Sequence, residues 1–261
     1  MRAVKQLFDL TGKTALVTGG SRGLGLQIAE ALGEQGARVI VTSRKQTDLD
    51  EAVVRLKAKG IDVSSISSDL GDDTSITPLV DEVLARLGHV DVLVNNAGAT
   101  WSAPAEDYPA QAWDKVMNLN MRSVFLLSKE IGKRTMIPRK YGRVINVASI
   151  AGFGGNAPGT METIAYNTSK GALINFTRTL AGEWGQYGIT VNALAPGFFP
   201  TKLTNAFLED SEHGSLVERA PLQRLGDDED LKGATALFAS DAGKHITGQV
   251  LAIDGGVSAI V

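Results

Sequence analysis

Two residues four positions apart, Tyr166 and Lys170, form the pair in this sequence best suited to proton transfer. On a helix, that spacing places both side chains on one face, one turn apart. Leu173, Ile174 and Leu180 continue an apolar pattern at helical spacing, so the sequence predicts a helix here. A cation near a phenol lowers its pKa, and the phenol can then give a proton to a carbonyl oxygen or take one from an alcohol. Most such pairs are merely solvated helix faces, so the surrounding motifs must decide.

The beginning of the chain predicts a unit of strand, glycine turn, helix and strand. Residues 14–18 and 38–42 are short apolar runs typical of buried strands. Between them, Gly19, Gly23 and Gly25 precede a helical pattern that ends near Gly36. Such a unit crosses over right-handed into a parallel sheet.

The same alternation continues along the whole chain. Further strands are predicted near 61–67, 90–94, 143–148, 189–194 and 249–253, and further helices at about 48–59, 75–87, 112–137, 165–184 and 231–239. The helix at 112–137 is expected to break near 118–120 and to stop before Pro138, and Asp227 and Asp228 are expected to cap the last helix. The pattern predicts an α/β fold with a doubly wound parallel sheet. Because no linker or repeat interrupts it, residues 1–261 are expected to form a single domain.

Composition excludes several classes of function. The chain has 261 residues, 43% of them hydrophobic, a net charge of −3 and no cysteine. This balance gives no basic surface for nucleic acid, and thiol or disulfide chemistry is impossible. The three histidines are scattered, which argues against a metal site. No apolar run resembles a signal peptide or a membrane span, so we expect a cytoplasmic protein without a membrane partner.

The glycine turn after the first strand predicts a dinucleotide site. Glycines permit a tight turn there and let the backbone approach a pyrophosphate at the helix N-terminus. An acidic residue at the end of the second strand would hold the ribose hydroxyl of NAD, but this chain has Ser43 and Arg44 instead. A guanidinium suits a 2′-phosphate, and Arg22 in the turn could add to it. We therefore predict NADP(H), although both arginines could simply be surface residues.

Five residues lie at or near the carboxyl ends of predicted strands: Gly19, Arg44, Asn96, Ser149 and Leu194. In an open parallel sheet, ligands bind outside the carboxyl ends of the strands. The sequence thus predicts that these positions face one crevice, with Ser149 near the Tyr166 helix.

Together, these motifs resemble the short-chain dehydrogenase/reductase family over essentially the full length. The motifs that carry the resemblance are Thr18-Gly19-x-x-x-Gly23-x-Gly25, Asp69, Asn95-Asn96-Ala97-Gly98, Asn120, Ser149, Tyr166-x-x-x-Lys170 and Pro196-Gly197. The resemblance implies a Rossmann fold of about seven parallel strands, a nicotinamide cofactor and a homotetramer. It also implies that residues 198–225 form a lid over a small carbonyl or alcohol substrate.

The resemblance assigns a role to each matching residue. It implies that Tyr166 is the general acid or base and that Lys170 contacts the nicotinamide ribose and lowers the pKa of the tyrosine. It further implies that Ser149 forms a hydrogen bond with the substrate carbonyl and that Asn120 holds a water molecule in a proton relay. The expected cofactor-binding residues are Gly19, Ser21, Arg22, Gly23, Leu24, Gly25, Ser43, Arg44, Asp69, Leu70, Asn96, Ala97, Gly98, Tyr166, Lys170, Pro196 and Gly197.

The substrate is less defined, because the loop between Ser149 and Tyr166 is longer than is usual in the family. We expect this loop to line the substrate pocket, with Phe153, Met161 and Glu162 as candidate contacts, and we expect Phe198, after the sixth strand, to contact the substrate as Ser149 does. The sequence is similar to 3-oxoacyl-thioester reductases, including the rhamnolipid-linked type, and to gluconate 5-dehydrogenase-like members. Apolar residues near the crevice favour an acyl chain or hydrophobic ketone over a sugar acid. A non-catalytic NADP(H) sensor is a third alternative. It is remote because the four residues expected to carry out catalysis are all present: Asn120, Ser149, Tyr166 and Lys170.

Overall fold

The computed structural model describes residues 1–157, 160–201 and 217–260. Its strands form one parallel seven-stranded sheet with the order β3-β2-β1-β4-β5-β6-β7. They are β1 (Thr14–Thr18), β2 (Arg38–Ser43), β3 (Val63–Ser67), β4 (Val92–Asn95), β5 (Gly142–Val147), β6 (Ile189–Pro196) and β7 (Val250–Ile253). The strand order reverses at the β1–β4 pair, and this is where a doubly wound sheet opens a crevice. The predicted fold class is confirmed.

Nine α-helices connect these strands within the described residues. They are α1 (Val4–Leu7), α2 (Gly23–Glu34), α3 (Gln46–Lys57), α4 (Ile76–Leu87), α5 (Ala110–Met117), α6 (Ser123–Ile131), α7 (Ile137–Arg139), α8 (Ile164–Trp184) and α9 (Lys232–Ala239). None of the helices in the described ranges is both long and apolar enough to cross a membrane.

The helices cover both faces of the sheet with two separate cores. On β1, Ala15 and Val17 pack toward the core shared with α2 and α3, whereas Leu16 packs into the opposite core with α4, α6 and α8. This alternation follows from the two-residue period of a strand. Because both faces of the sheet are buried, each residue from Thr14 to Thr18 is either apolar or has a hydroxyl group that forms a hydrogen bond. This explains why the strands are near-continuous apolar runs in the sequence.

Buried amides hold α8 in place against the middle of the sheet. Asn95 of β4 lies opposite Asn146 of β5 in register, and its Nδ2 donates to Asn146 Oδ1 at 2.9 Å. Asn146 Nδ2 in turn donates to Thr177 Oγ1 on α8, also at 2.9 Å. The helix that carries Tyr166 and Lys170 is therefore tied to the strand that ends near Ser149.

The segment 110–139 differs from its prediction in two ways. The expected break near 118–120 is a π-helical segment, Asn118–Arg122, that joins α5 to α6 without a gap. The expected stop before Pro138 is wrong, since Pro138 lies in α7 and the chain leaves the helix at Lys140 with φ 51°. Pro138 occupies the first turn of α7, after a second π-helical segment, where a missing N–H is tolerated.

The predicted cap of the last helix is also wrong. The N-cap of α9 is Leu231, which forms no side-chain capping bond. Asp227 instead accepts a hydrogen bond from Glu229 N at 2.9 Å, and Asp228 accepts one from Gln27 at 3.2 Å. These carboxylates stabilise the loop before α9 rather than its first turn. Of the predicted lid at 198–225, residues 202–216 lie outside the described residues.

Candidate active site

The glycine turn after β1 packs directly on the end of β4. Gly19 and Gly23 have φ of +63° and +53°, a conformation that residues with a Cβ rarely adopt. A Cβ on Gly25 would lie 2.2 Å from Gly19 O. Asn96 Nδ2 donates to Thr18 O at 2.8 Å and Gly19 O at 3.1 Å. The turn is thus fixed from both sides, with the N-terminus of α2 beside it.

A cleft of about 770 Å³ opens at this turn and follows the carboxyl ends of the strands. All seventeen residues predicted to bind the cofactor line it, together with Ser149. They come from the ends of β1 to β6 and from α8, because parallel strands bring their carboxyl ends to one edge of the sheet. The long cleft, with a helix N-terminus at its turn, fits a dinucleotide.

At the end of β2, the cleft offers unused polar groups. The hydroxyls of Ser43 and Ser68 are buried and have no hydrogen-bond partner in the described part of the chain. The Arg44 side chain is exposed and forms no ion pair there, whereas Arg22 Nη1 pairs with Asp48 Oδ2 at 3.0 Å. Hydroxyl and guanidinium donors next to each other fit an anionic oxygen such as that of a phosphate. Arg22 was predicted to be a second contact to the 2′-phosphate, and the carboxylate of Asp48 competes with that phosphate for its guanidinium.

Ser149, Tyr166 and Lys170 meet at the other end of the cleft. The Ser149 side chain acts to lower the pKa of Tyr166, and Lys170 Nζ lies 5.4 Å from the Tyr166 ring centroid. Lys170 is 4% exposed and donates to Val147 O at 2.7 Å. Gly152 lies so close to α8 that a Cβ there would be 2.7 Å from the Lys170 carbonyl carbon. This contact holds the turn that begins at Ser149 against the helix that carries Tyr166.

Burial sets the proton affinities of the pair. It raises the pKa of Tyr166, while the Ser149 side chain lowers it by less. Burial also lowers the pKa of Lys170 from 10.5 to about 8. The expected lowering of the tyrosine pKa by Lys170 is not met, because desolvation of the phenol outweighs the other contributions. At neutral pH, Tyr166 is therefore a phenol that can donate its proton.

Asn120 connects the loop after β4 to α8. Its Oδ1 accepts from Ala99 N at 2.8 Å, and its Nδ2 donates to Ala99 O at 2.9 Å and Ser169 Oγ at 3.0 Å. Both Asn120 Oδ1 and Lys170 Nζ lie within 4 Å of the point where a Cβ on Gly98 would be. The side chain is thus close to the lysine and is held by protein groups, and its role in a water relay stays a prediction.

The predicted substrate contacts other than Ser149 lie outside this cleft. Phe153 is exposed, Met161 lines a neighbouring cavity and Phe198 lines a third cavity near the end of β7. Phe199, the next residue, lines the cleft instead and is 3% exposed. No pattern in the sequence distinguishes these adjacent phenylalanines. Their contacts with a substrate remain predictions.

Other cleft residues were missed in the sequence. Ser68 lies between the end of β3 and the predicted Asp69, so its position directly after the strand was the available signal. Lys45 and Asp48 line the cleft near Arg44 because α3 begins there. Asp228 reaches the cleft from a loop distant in sequence, and no local pattern predicts it. Among the residues with described positions, no group of three or more His, Asp or Glu could hold a metal ion.

The fold and the cleft together define a dinucleotide-binding α/β protein with a proton-transfer group beside the dinucleotide. Comparisons with known proteins give the family. The model of the short chain dehydrogenases matches residues 13–212. The chain belongs to this family of oxidoreductases, which confirms the resemblance in the sequence.

Curated relatives of two kinds are similar to nearly the whole chain. Gluconate 5-dehydrogenase of Gluconobacter oxydans is 37% identical over 97% of both chains. The 3-oxoacyl-acyl-carrier-protein reductase FabG of Staphylococcus epidermidis is 40% identical over 94% of this chain and 98% of its own. A crystal structure of a gluconate 5-dehydrogenase from Burkholderia cenocepacia in complex with NADP and tartrate superposes with a TM-score of 0.93. It is 32% identical and covers 99% of this chain and 100% of its own.

Proposed function

We propose that this protein is an NADP(H)-dependent oxidoreductase that interconverts a ketone and a secondary alcohol, with a 3-oxoacyl thioester or hydrophobic ketone as substrate. The observation that carries the proposal is that Ser149, Tyr166 and Lys170 line the same cleft as the glycine turn. When bound, the cofactor supplies or accepts the hydride. The side chains supply position and the proton.

Each side chain has a distinct part in the reduction. Tyr166 is protonated at neutral pH, because burial raises its pKa further from neutrality, and it donates that proton to the carbonyl oxygen. Ser149 orients the same oxygen by a hydrogen bond and stabilises the charge that develops on it. Lys170, held by Val147 O, keeps a positive charge near the phenol below its pKa of about 8.

The preference for NADP(H) rests on the end of β2. Arg44 and the buried Ser43 hydroxyl stand where an acidic residue would select the ribose hydroxyl of NAD. The carboxylate of Asp48, which also lines the cleft, is paired with Arg22. The solved gluconate 5-dehydrogenase in complex with NADP supports the same preference by similarity.

The substrate class is supported by the apolar part of the cleft, to which Leu119 and the buried Phe199 contribute. A sugar-acid dehydrogenase is the second candidate, since gluconate 5-dehydrogenases are among the relatives most similar to this chain. The two candidates differ in the charge and polarity of the substrate, and a direct assay separates them.

The test is NADPH oxidation with a panel that contains a 3-oxoacyl thioester, hydrophobic ketones and 5-ketogluconate, with NADH in parallel. We expect turnover of the thioester or the ketones, faster with NADPH. Turnover of 5-ketogluconate alone would replace our proposal with the second candidate. Binding of NADPH without turnover in either direction would point to a sensor.

A further inference from the structure

An ion pair joins two walls of the cleft at the end beside β2. Arg22 Nη1 lies 3.0 Å from Asp48 Oδ2, and both residues line the cleft. Arg22 is the N-cap of α2 in the glycine turn, and Asp48 belongs to the first turn of α3. The pair therefore ties the turn after the first strand to the segment after the second strand.

This ion pair is easily broken, because water reaches both partners. The side chain of Arg22 is 54% exposed and that of Asp48 is 29% exposed. Pairs at such positions contribute little to the stability of a fold, since solvation of the separated charges nearly compensates their attraction. An anion that enters the cleft can therefore compete with Asp48 for the guanidinium of Arg22.

The other cations at this end of the cleft have no such competitor. Arg44 and Lys45 line the cleft, are exposed and form no ion pair within the described residues. Asp69, which also lines the cleft, accepts a hydrogen bond from Gly71 N at 3.0 Å, in its own turn. Two unpaired cations thus face the cleft, whereas the charge of the third one, in the glycine turn, is cancelled by its partner.

A 2′-phosphate on the dinucleotide would meet this pair at a disadvantage. NADP(H) differs from NAD(H) by this group alone, and a phosphate monoester carries about 1.5 to 2 negative charges at neutral pH. To donate to it with Nη1, the Arg22 side chain must leave Asp48, and the phosphate then lies near a carboxylate that has lost its partner. Two negative groups at short range repel each other. A dinucleotide with a free 2′-hydroxyl leaves the pair intact and meets neither cost.

We propose that Asp48 is a residue that limits cofactor selectivity. By pairing with Arg22, it cancels a positive charge that the glycine turn would otherwise offer to the 2′-phosphate. Arg44 and Lys45 then provide the preference for NADP(H), and the difference in affinity between NADP(H) and NAD(H) is narrower than three unpaired cations would give. This inference rests on the proposed preference for NADP(H) and identifies a residue that sets its size.

The experiment compares wild type, Asp48→Asn, Arg22→Gln and the double variant by fluorescence titration of the protein with NADPH and with NADH. We expect Asp48→Asn to bind NADPH about threefold to tenfold more tightly, because an unpaired guanidinium attracts the phosphate. Arg22→Gln should bind NADPH more weakly by a similar factor. The double variant should return to within about twofold of wild type, since both charges of the pair are gone. NADH affinities should change little, and the gain of Asp48→Asn should shrink at high salt.

Asp50→Asn is the matched control, because it removes the same charge from α3 and should leave both affinities unchanged. Asp50 is exposed, is not among the described residues that line the cleft, and accepts a hydrogen bond from Gln46 Nε2 at 2.8 Å. Unchanged or weaker binding of NADPH by Asp48→Asn would overturn the inference, as would an equal gain for NADH, and a wild-type preference for NADPH would still stand. Tighter binding of NADH than of NADPH by wild type would remove that preference and the inference with it.

Discussion

Desolvation has opposite consequences for the two ionisable side chains at the centre of the cleft. It keeps the Tyr166 phenol protonated and makes the Lys170 ammonium easier to deprotonate. Both effects favour the neutral form of the group, as burial does in general. Two predictions follow from this balance, one for turnover and one for stability.

Tyr166→Phe removes the proton donor but preserves the ring. We expect turnover to fall by about 10²–10⁴-fold, the contribution typical of general acid–base catalysis, with little change in NADPH affinity. Steady-state rates and a fluorescence titration with NADPH measure the two effects. Tyr187→Phe, at the far end of α8, is the matched control and should keep full activity. A Tyr166→Phe variant with the wild-type rate would refute the catalytic assignment.

Lys170→Met should change how stability depends on pH. Below pH 8, Lys170 is charged in both the folded and the unfolded chain, and the folded chain bears the cost of burying it. Between pH 8 and 10.5 the folded chain releases this proton before the unfolded chain does, so the unfolding free energy of the wild type rises with pH. The rise should reach about 3 kcal/mol relative to the variant.

Urea unfolding of both proteins across this pH range measures the difference. Lys133→Met, which removes an exposed lysine of the π-helical segment after α6, should show the wild-type pH dependence. Parallel curves for wild type and Lys170→Met would mean that the buried lysine has an ordinary pKa.

At the scale of elements, the end of β2 and the start of α3 decide the cofactor. Arg44→Asp replaces an unpaired guanidinium by the carboxylate typical of NAD sites. We expect the NADPH dissociation constant to rise about 10- to 100-fold, because a charge-assisted hydrogen bond is lost and a repulsion is added. The NADH constant should change little.

Titration of both cofactors gives the two constants. Arg55→Asp, on the exposed side of α3, is the control for charge alone. Equal weakening of NADPH and NADH by Arg44→Asp would show that Arg44 does not contact a 2′-phosphate.

The elements and the site were predictable to different extents. The positions of the strands along the chain followed from apolar runs. That residues at their ends meet in one cleft followed because a parallel sheet gathers those ends at one edge, whereas most of the individual cofactor residues were implied by the family resemblance. Side-chain direction in loops did not follow: Phe199 lines the cleft while Phe198 points elsewhere, and only tertiary packing distinguishes them. Pro138 shows the same limit, since its place in a helix depends on the π-helical segment before it.

At the scale of the whole molecule, exposed apolar residues indicate a partner surface. Phe125 on α6 is 49% exposed, and Leu251 on the edge strand β7 is 40% exposed. A homotetramer, implied by the family resemblance, would cover such positions. We expect a tetrameric mass by light scattering and a smaller mass for Phe125→Asp.

Val54→Asp is the control, because Val54 is 70% exposed on α3, away from α6 and β7. It should leave the mass unchanged. A monomeric wild type, or equal effects of the two variants, would contradict the assignment of the surface.

The contact between Asn96 and the glycine turn also has a consequence for how the chain folds. Asn96 Nδ2 bonds to Thr18 O, a residue that lies 78 positions earlier, and three helical connections separate β1 from β4, its partner in the sheet. Contacts over such separations form slowly because a long loop must close first. We therefore expect that a newly made chain cannot hold its cofactor until the fourth strand has joined the first.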